Sequence, residues 1–216
     1  MSDTSLPLNS LVLYKNQPAR LNKINDKKLE IDLADGRSLK VRPKDVDLLH
    51  PGPIASLSSL AAPPGDVETA WELLQDATTT LPELAELAFA EYTPLTAWAA
   101  WQLVADGLYF SGGIDSIRVH TPEEVANEQQ ARAAKEAEEE AWQDFLVRLA
   151  KGDIGPDDGR YLQEIAGLAL GQNQRSQALR ALNQPETPEA AHTLLLKTGY
   201  WDESHNPYPA RAGLPT

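Results

Sequence analysis

The chain has 216 residues, 19 Lys+Arg against 32 Asp+Glu for a formal charge of −13, four histidines and no cysteine. Lack of cysteine excludes a disulfide framework, a thiolate metal site, an iron–sulfur cluster and a cysteine nucleophile, and the acidic balance disfavours a protein whose whole surface meets phosphate. With 42% hydrophobic and 24% charged residues the composition is that of a folded protein, and no apolar run approaches the roughly 20 residues of a membrane helix. Residues 1–10 (MSDTSLPLNS) lack the basic and apolar regions of a signal peptide, so a cytoplasmic location with no membrane partner is expected.

The charge is unevenly spread. Residues 1–50 carry nine Lys/Arg and seven Asp/Glu, whereas residues 51–120 carry one and nine. The first block alternates with period two: Ser10 to Tyr14 is a short apolar run, Pro18 to Ile24 alternates, and Lys28 to Leu33 sets Leu29, Ile31 and Leu33 against Lys28, Glu30 and Asp32. Asn25-Asp26 and Asp35-Gly36 supply turns, Ser38 to Val41 resumes the alternation, and Val46 to Leu49 closes it. Five short strands predict a small SH3- or KOW-like barrel over residues 1–50. Its Lys15, Arg20, Lys23, Lys27, Lys28, Arg37, Lys40, Arg42 and Lys44 hold nearly half of all the cations. Of these, Lys15, Arg20, Lys23, Lys40, Arg42 and Lys44 are the candidate RNA-binding residues; the same positions are equally what strands place in water whatever they bind. Residues 51–65, opening on Pro51-Gly52-Pro53, read as a linker.

From Asp66 the period becomes helical. Asp66 caps a helix with Val67, Ala70, Trp71 and Leu74 on one face, and Thr80 with Glu83 forms a capping box for a second that buries Leu84, Leu87 and Ala88. Thr93-Pro94 opens a third helix to Ala105, stopped by Gly107. Leu108 to Val119 reads as two strands joined by a Gly112-Gly113 turn. Three short helices and a hairpin predict a winged helix-turn-helix over 66–120, α+β overall. The third helix would be the DNA reader, yet it contains no Lys or Arg, so a packing or protein-interaction role is expected and duplex DNA is not.

Thr121-Pro122-Glu123-Glu124 launches a helix that runs to Lys151, about 45 Å at 1.5 Å per residue. Its middle is solvated, and only Trp142, Phe145, Leu146 and Leu149 form an apolar stripe. Further helices are expected over Asp157 to Leu170, Gln174 to Leu182 and Thr187 to Thr198, completing a helical region 121–199. The segment 200–216 begins with three aromatics and two prolines and no period; it reads as an extended tail leading to a further domain, or as a docked or partner-binding peptide.

No P-loop, GxGxxG, nucleophile elbow or HExxH occurs, and the histidines at 50, 120, 192 and 205 are never one helical turn apart. The residues by themselves read as non-catalytic and without a metal site.

Several stretches resemble the N-terminal region of the ribonuclease II/R (RNB) exoribonucleases, particularly the cyanobacterial and deinococcal type. They are Leu11 to Lys15, Leu39 to Val46 leading to Leu49 to Gly52, Tyr92 to Pro94 with Ala97 to Trp101, and above all Gly199 to Asp202 with Asn206 to Pro209. The resemblance implies a 3′-to-5′ exoribonuclease whose Mg²⁺ is held by aspartates of a separate catalytic domain. None of those aspartates can be carried onto this chain, which is therefore expected to be a non-catalytic fragment or half of a split gene. It would position or screen single-stranded RNA for an RNB catalytic domain acting in cis or in trans. The alternative is a winged-helix protein-interaction adaptor with no RNA role.

Overall fold

The computed structural model describes residues 6–25, 28–75 and 77–211; the turn expected at Asn25-Asp26 lies partly outside them. The chain divides into two compact units, Met1–Gln130 and Ala131–Thr216. No helix among the described residues is long and apolar enough to cross a membrane.

The first unit opens with a five-stranded antiparallel sheet made of β1 (Leu11–Tyr14), β2 (Gln17–Asn25), β3 (Lys28–Leu33), β4 (Ser38–Val41) and β5 (Asp47–His50). Its order, β4-β3-β2-β1-β5, is a meander whose last strand returns beside the first, as expected for an SH3-like module. One face is closed by Val12, Ala19, Leu21, Leu29, Ile31, Leu33, Val41 and Val46. The alternation of Lys28–Leu33 is what makes this possible, since every second side chain of a strand points to the same side. A register shift between Leu21 and Lys23 bulges the long strand β2.

Strand β1 is buried on both faces, as its unbroken LVLY run requires. Val12 enters the sheet's own core, while Leu11 and Leu13 join a second cluster with Leu49, Ile54, Leu81, Leu84, Ala97, Ala100, Val104, Phe110 and Ile117. Residues 51–65, read as a linker, join two modules that share one apolar core, to which Ile54 itself belongs.

That second module contains α1 (Val67–Leu73), β6 (Thr78–Thr79), α2 (Leu81–Phe89), α3 (Pro94–Asp106), β7 (Phe110–Gly113) and β8 (Ser116–Val119). The helix starts lie where the capping residues put them. Asp66 accepts the Thr69 N–H at 3.1 Å, Glu83 accepts the Thr80 N–H at 3.1 Å, and Thr93 accepts the Thr96 N–H at 3.3 Å. Strand β6 joins β8 to make a three-stranded wing, a strand too short to leave a period in the sequence. The hairpin turn is Ile114-Asp115, not Gly112-Gly113. Gly113 pairs with Ser116, and Gly112 lies inside β7 at φ +119, where a Cβ would come within 2.5 Å of the Ser116 carbonyl oxygen. Leu87, expected in the core, is 43% exposed.

Helix α4 (Pro122–Lys151) begins in the first unit, capped by Thr121 and Glu124, and its residues from 131 onward belong to the second. Residues 131–140 are all exposed. In the second unit the stripe Phe145 and Leu149 packs with Leu162, Ile165 and Leu168 of α5 (Gly159–Ala169), Ala178 and Leu179 of α6 (Gln177–Ala181), and Ala191, Leu194 and Leu195 of α7 (Pro188–Lys197).

Of the alternatives open for the terminal segment, an extended tail or a docked one, residues 200–211 take the docked one. Tyr208–Arg211 forms a helical turn, α8, and Trp201 packs on the core of the unit with its indole stacked on His205 at 3.9 Å. Arg211 locks the end by donating to the carbonyls of Ala169 at 2.7 Å and Pro188 at 2.9 Å. Trp201 does find a core to pack on, while Tyr200 and Tyr208 stay exposed, and two backbone acceptors hold the arginine.

Candidate nucleic-acid interface

The six candidate cations do not form one patch. Arg20, on β2, donates to Asp32 at 2.9 Å and to the Ala55 carbonyl at 2.8 Å, which ties the segment after the sheet to the sheet itself. Arg42 grips Asp45 at 2.8 and 3.0 Å across the 3₁₀ turn Pro43–Asp45. Lys15 sits in the β1–β2 turn with its ammonium 5.4 Å from the Tyr14 ring centre, and Lys44 is exposed on the 3₁₀ turn.

Lys23 and Lys40 are the two brought together. Both are aligned with Glu30 of β3, from β2 and β4 respectively, and residues directly opposite in an antiparallel ladder share a face. The neighbouring row on that face is Arg20, Asp32 and Ser38. Asp32 is held below the usual carboxylate range by the hydrogen bonds from Ser38 and Arg20. The outer face is thus a ladder of alternating charge in which the cations stand at the flanks and the carboxylates in the middle strand.

The winged helix offers little to a duplex. Helix α3 spends Thr96, Ala97, Ala99, Ala100 and Val104 on packing, and its exposed residues are Gln102, Ala105 and Asp106. It lies against both β5 and the wing strand β7. The one cation of the wing, Arg118, is paired with Glu124.

Sequence patterning missed the residues that join the two modules, because helical spacing marks them only as core. The Trp101 indole donates to Asn16 at 2.9 Å, and Tyr92 donates its hydroxyl to the Leu49 carbonyl. His50 receives the Gly52 N–H on Nδ1 at 2.9 Å, which leaves Nε2 to donate to the Tyr92 carbonyl at 3.3 Å, and its ring lies 4.6 Å from that of Tyr92. Burial pushes the imidazole below its ordinary value, only partly offset by the Tyr92 bond. In the folded chain His50 therefore resists protonation more than in the unfolded one, so its contribution is full above about pH 6.5 and is lost as the pH falls below that value. Urea midpoints compared at pH 7.5 and 5.5 should fall less in His50→Gln than in the natural chain; an identical fall would refute the role.

Mg²⁺ is the cofactor the family resemblance implies. Among the described residues no group of three or more His, Asp or Glu side chains is placed to hold a metal ion.

Comparison with known families gives two matches. Residues 56–127 match the winged helix domain of ribonuclease II, and residues 125–207 match the double HTH domain of the ribonuclease II type. A search of curated proteins finds no match to the chain. The two family regions follow one another along the fold just described, in the order that the winged module and the helical unit occupy, and they place the chain in the ribonuclease II/R family, as a carrier of modules of that family's N-terminal region.

Proposed function

We propose that the chain serves RNA degradation without performing the cleavage, by positioning single-stranded RNA for an RNB catalytic domain that acts in cis or in trans. The observation that carries this reading is the pair of consecutive ribonuclease II modules. The β2–β3–β4 face adds the physical means: Lys23 and Lys40 have no ion pair among the described residues, and a ladder that is cationic only at its flanks suits weak contact with a backbone passing across it. The outer face of α3 favours single strands over duplexes, because the helix that would enter a major groove exposes Gln102, Ala105 and Asp106 and carries no Lys or Arg to meet phosphates. A cytoplasmic location fits this role.

Two lysines facing phosphates give a shallow salt slope, about 0.7 per contact on single strands. In fluorescence anisotropy with a labelled RNA, Lys23→Glu/Lys40→Glu should weaken binding at low salt about tenfold or more and flatten the salt dependence. Binding that is unchanged by the double reversal would move the contact off this face, and absence of any RNA binding at low salt would leave the adaptor reading in its place.

A further inference from the structure

A groove of about 920 Å³, near the upper end for ligand sites, lies between the β-module and the winged module of the first unit. Its walls are Leu6, Pro43, Val46 and Leu48 on one side and Pro82, Tyr92, Trp101 and Ile114 on the other. Asp47 and Asp115 stand at it as exposed carboxylates, and neither has a hydrogen bond or ion pair among the described residues. Among the described residues no Lys or Arg lines it; Arg42, next to Pro43 in the chain, is already held by Asp45.

The geometry points to this groove as the docking site of an extended, apolar peptide segment that carries Lys or Arg. An aromatic and proline wall is the surface on which an extended polyproline-type backbone lays its side chains at low entropic cost. Two uncompensated carboxylates beside the half-buried rings of Tyr92 and Trp101 select a cation, by Coulomb attraction and by the ring quadrupole together. The same carboxylates turn away a phosphate backbone, so the groove and the lysine ladder serve partners of opposite charge. The surrounding sequence reinforces the selection, since residues 51–120 hold one basic and nine acidic residues.

The test uses the full chain and three labelled probes: a ten-residue Pro/Leu/Arg peptide, the same peptide with Arg replaced by Glu, and a ten-nucleotide single-stranded RNA. The cationic peptide is expected to bind and to lose at least tenfold in affinity in Asp47→Lys/Asp115→Lys, while the acidic peptide gains affinity for that variant. Both positions are exposed, and circular dichroism reports whether the fold is kept. A Trp101→Phe chain should lose the peptide-induced change in tryptophan fluorescence. The inference is overturned if the cationic peptide does not bind, if the double reversal leaves its affinity unchanged, or if the RNA competes with it for the groove.

Discussion

Replacing Asp158 by alanine is expected to cost the second unit about 3 kcal/mol. Its side chain is 3% exposed and receives Arg148 through two bonds, at 3.1 and 2.6 Å, and the Gly155 N–H at 2.6 Å. Those three bonds close the turn between α4 and α5, so the substitution frees a guanidinium and a backbone donor at once. The figure stays at the low end for a broken buried pair because Arg148 is itself 36% exposed and can recover water. For a unit of this size about 3 kcal/mol corresponds to a fall of roughly 12 °C or more in melting temperature. Arg148→Met should cost less, and the double variant less than the two together.

The same pair sets an acid limit. Burial pushes the Asp158 carboxyl up, but the hydrogen bonds from Arg148 and Gly155, with the charge of Arg148, outweigh it and hold the group below its ordinary value. Its stabilisation is present above about pH 4, the range of an unfolded aspartate, and drains away as the pH falls through the lower folded value. Calorimetry on the full chain at pH 7 and pH 3 checks both statements. A loss under about 1 kcal/mol at pH 7, or an unchanged acid dependence in the variant, would show that the pair does not hold the turn.

Leu49→Ala is the second substitution with a large expected effect, about 2–5 kcal/mol. Leu49 is fully buried in the core that the β-module shares with the winged module, and its carbonyl accepts the Tyr92 hydroxyl. The cavity therefore opens at the joint between the two modules rather than inside either. If the shared core makes them one cooperative body, hydrogen exchange should accelerate together in the strand amides of β1–β3 and in those of α2 and α3. Acceleration confined to the β-module would mean that the two modules open independently and that the shared core is a contact rather than a unit. The outcome bears on function, because a rigid joint fixes the lysine ladder relative to the groove beside Trp101.

Several parts of this architecture are legible locally. The caps at Asp66, Thr80, Thr93, Thr121 and Thr187 announce helix starts because each cap is completed within three residues. The alternation of Lys28 to Leu33 needs no partner to be read as a strand. Gly112-Gly113 points to the wrong turn because Gly-Gly signals a turn wherever it stands, and here the backbone uses Gly112 for a close approach to Ser116 within the strand pair. The winged module could be recognised from its helices and hairpin alone, while the strand Thr78–Thr79 that completes the wing could not.

The candidate site was legible as a list of cations and not as a surface. Nothing near Arg20 in sequence shows that it will be taken by Asp32 and by the carbonyl of Ala55, 35 residues away. Nor does any motif unite Trp101 with Asn16, 85 residues earlier. The sequence by itself determined the order of modules, the places where helices begin, the acidity of everything after residue 50 and the family to which the chain belongs. Tertiary structure alone decided which lysines stay unpaired, that α3 packs against both β5 and β7, that the segment 51–65 joins modules with a common core, and that Trp201 and Arg211 dock the end of the second unit. The difference is physical: capping and periodicity are completed within a few residues of chain, whereas charge pairing and core sharing depend on distances that only the folded backbone sets.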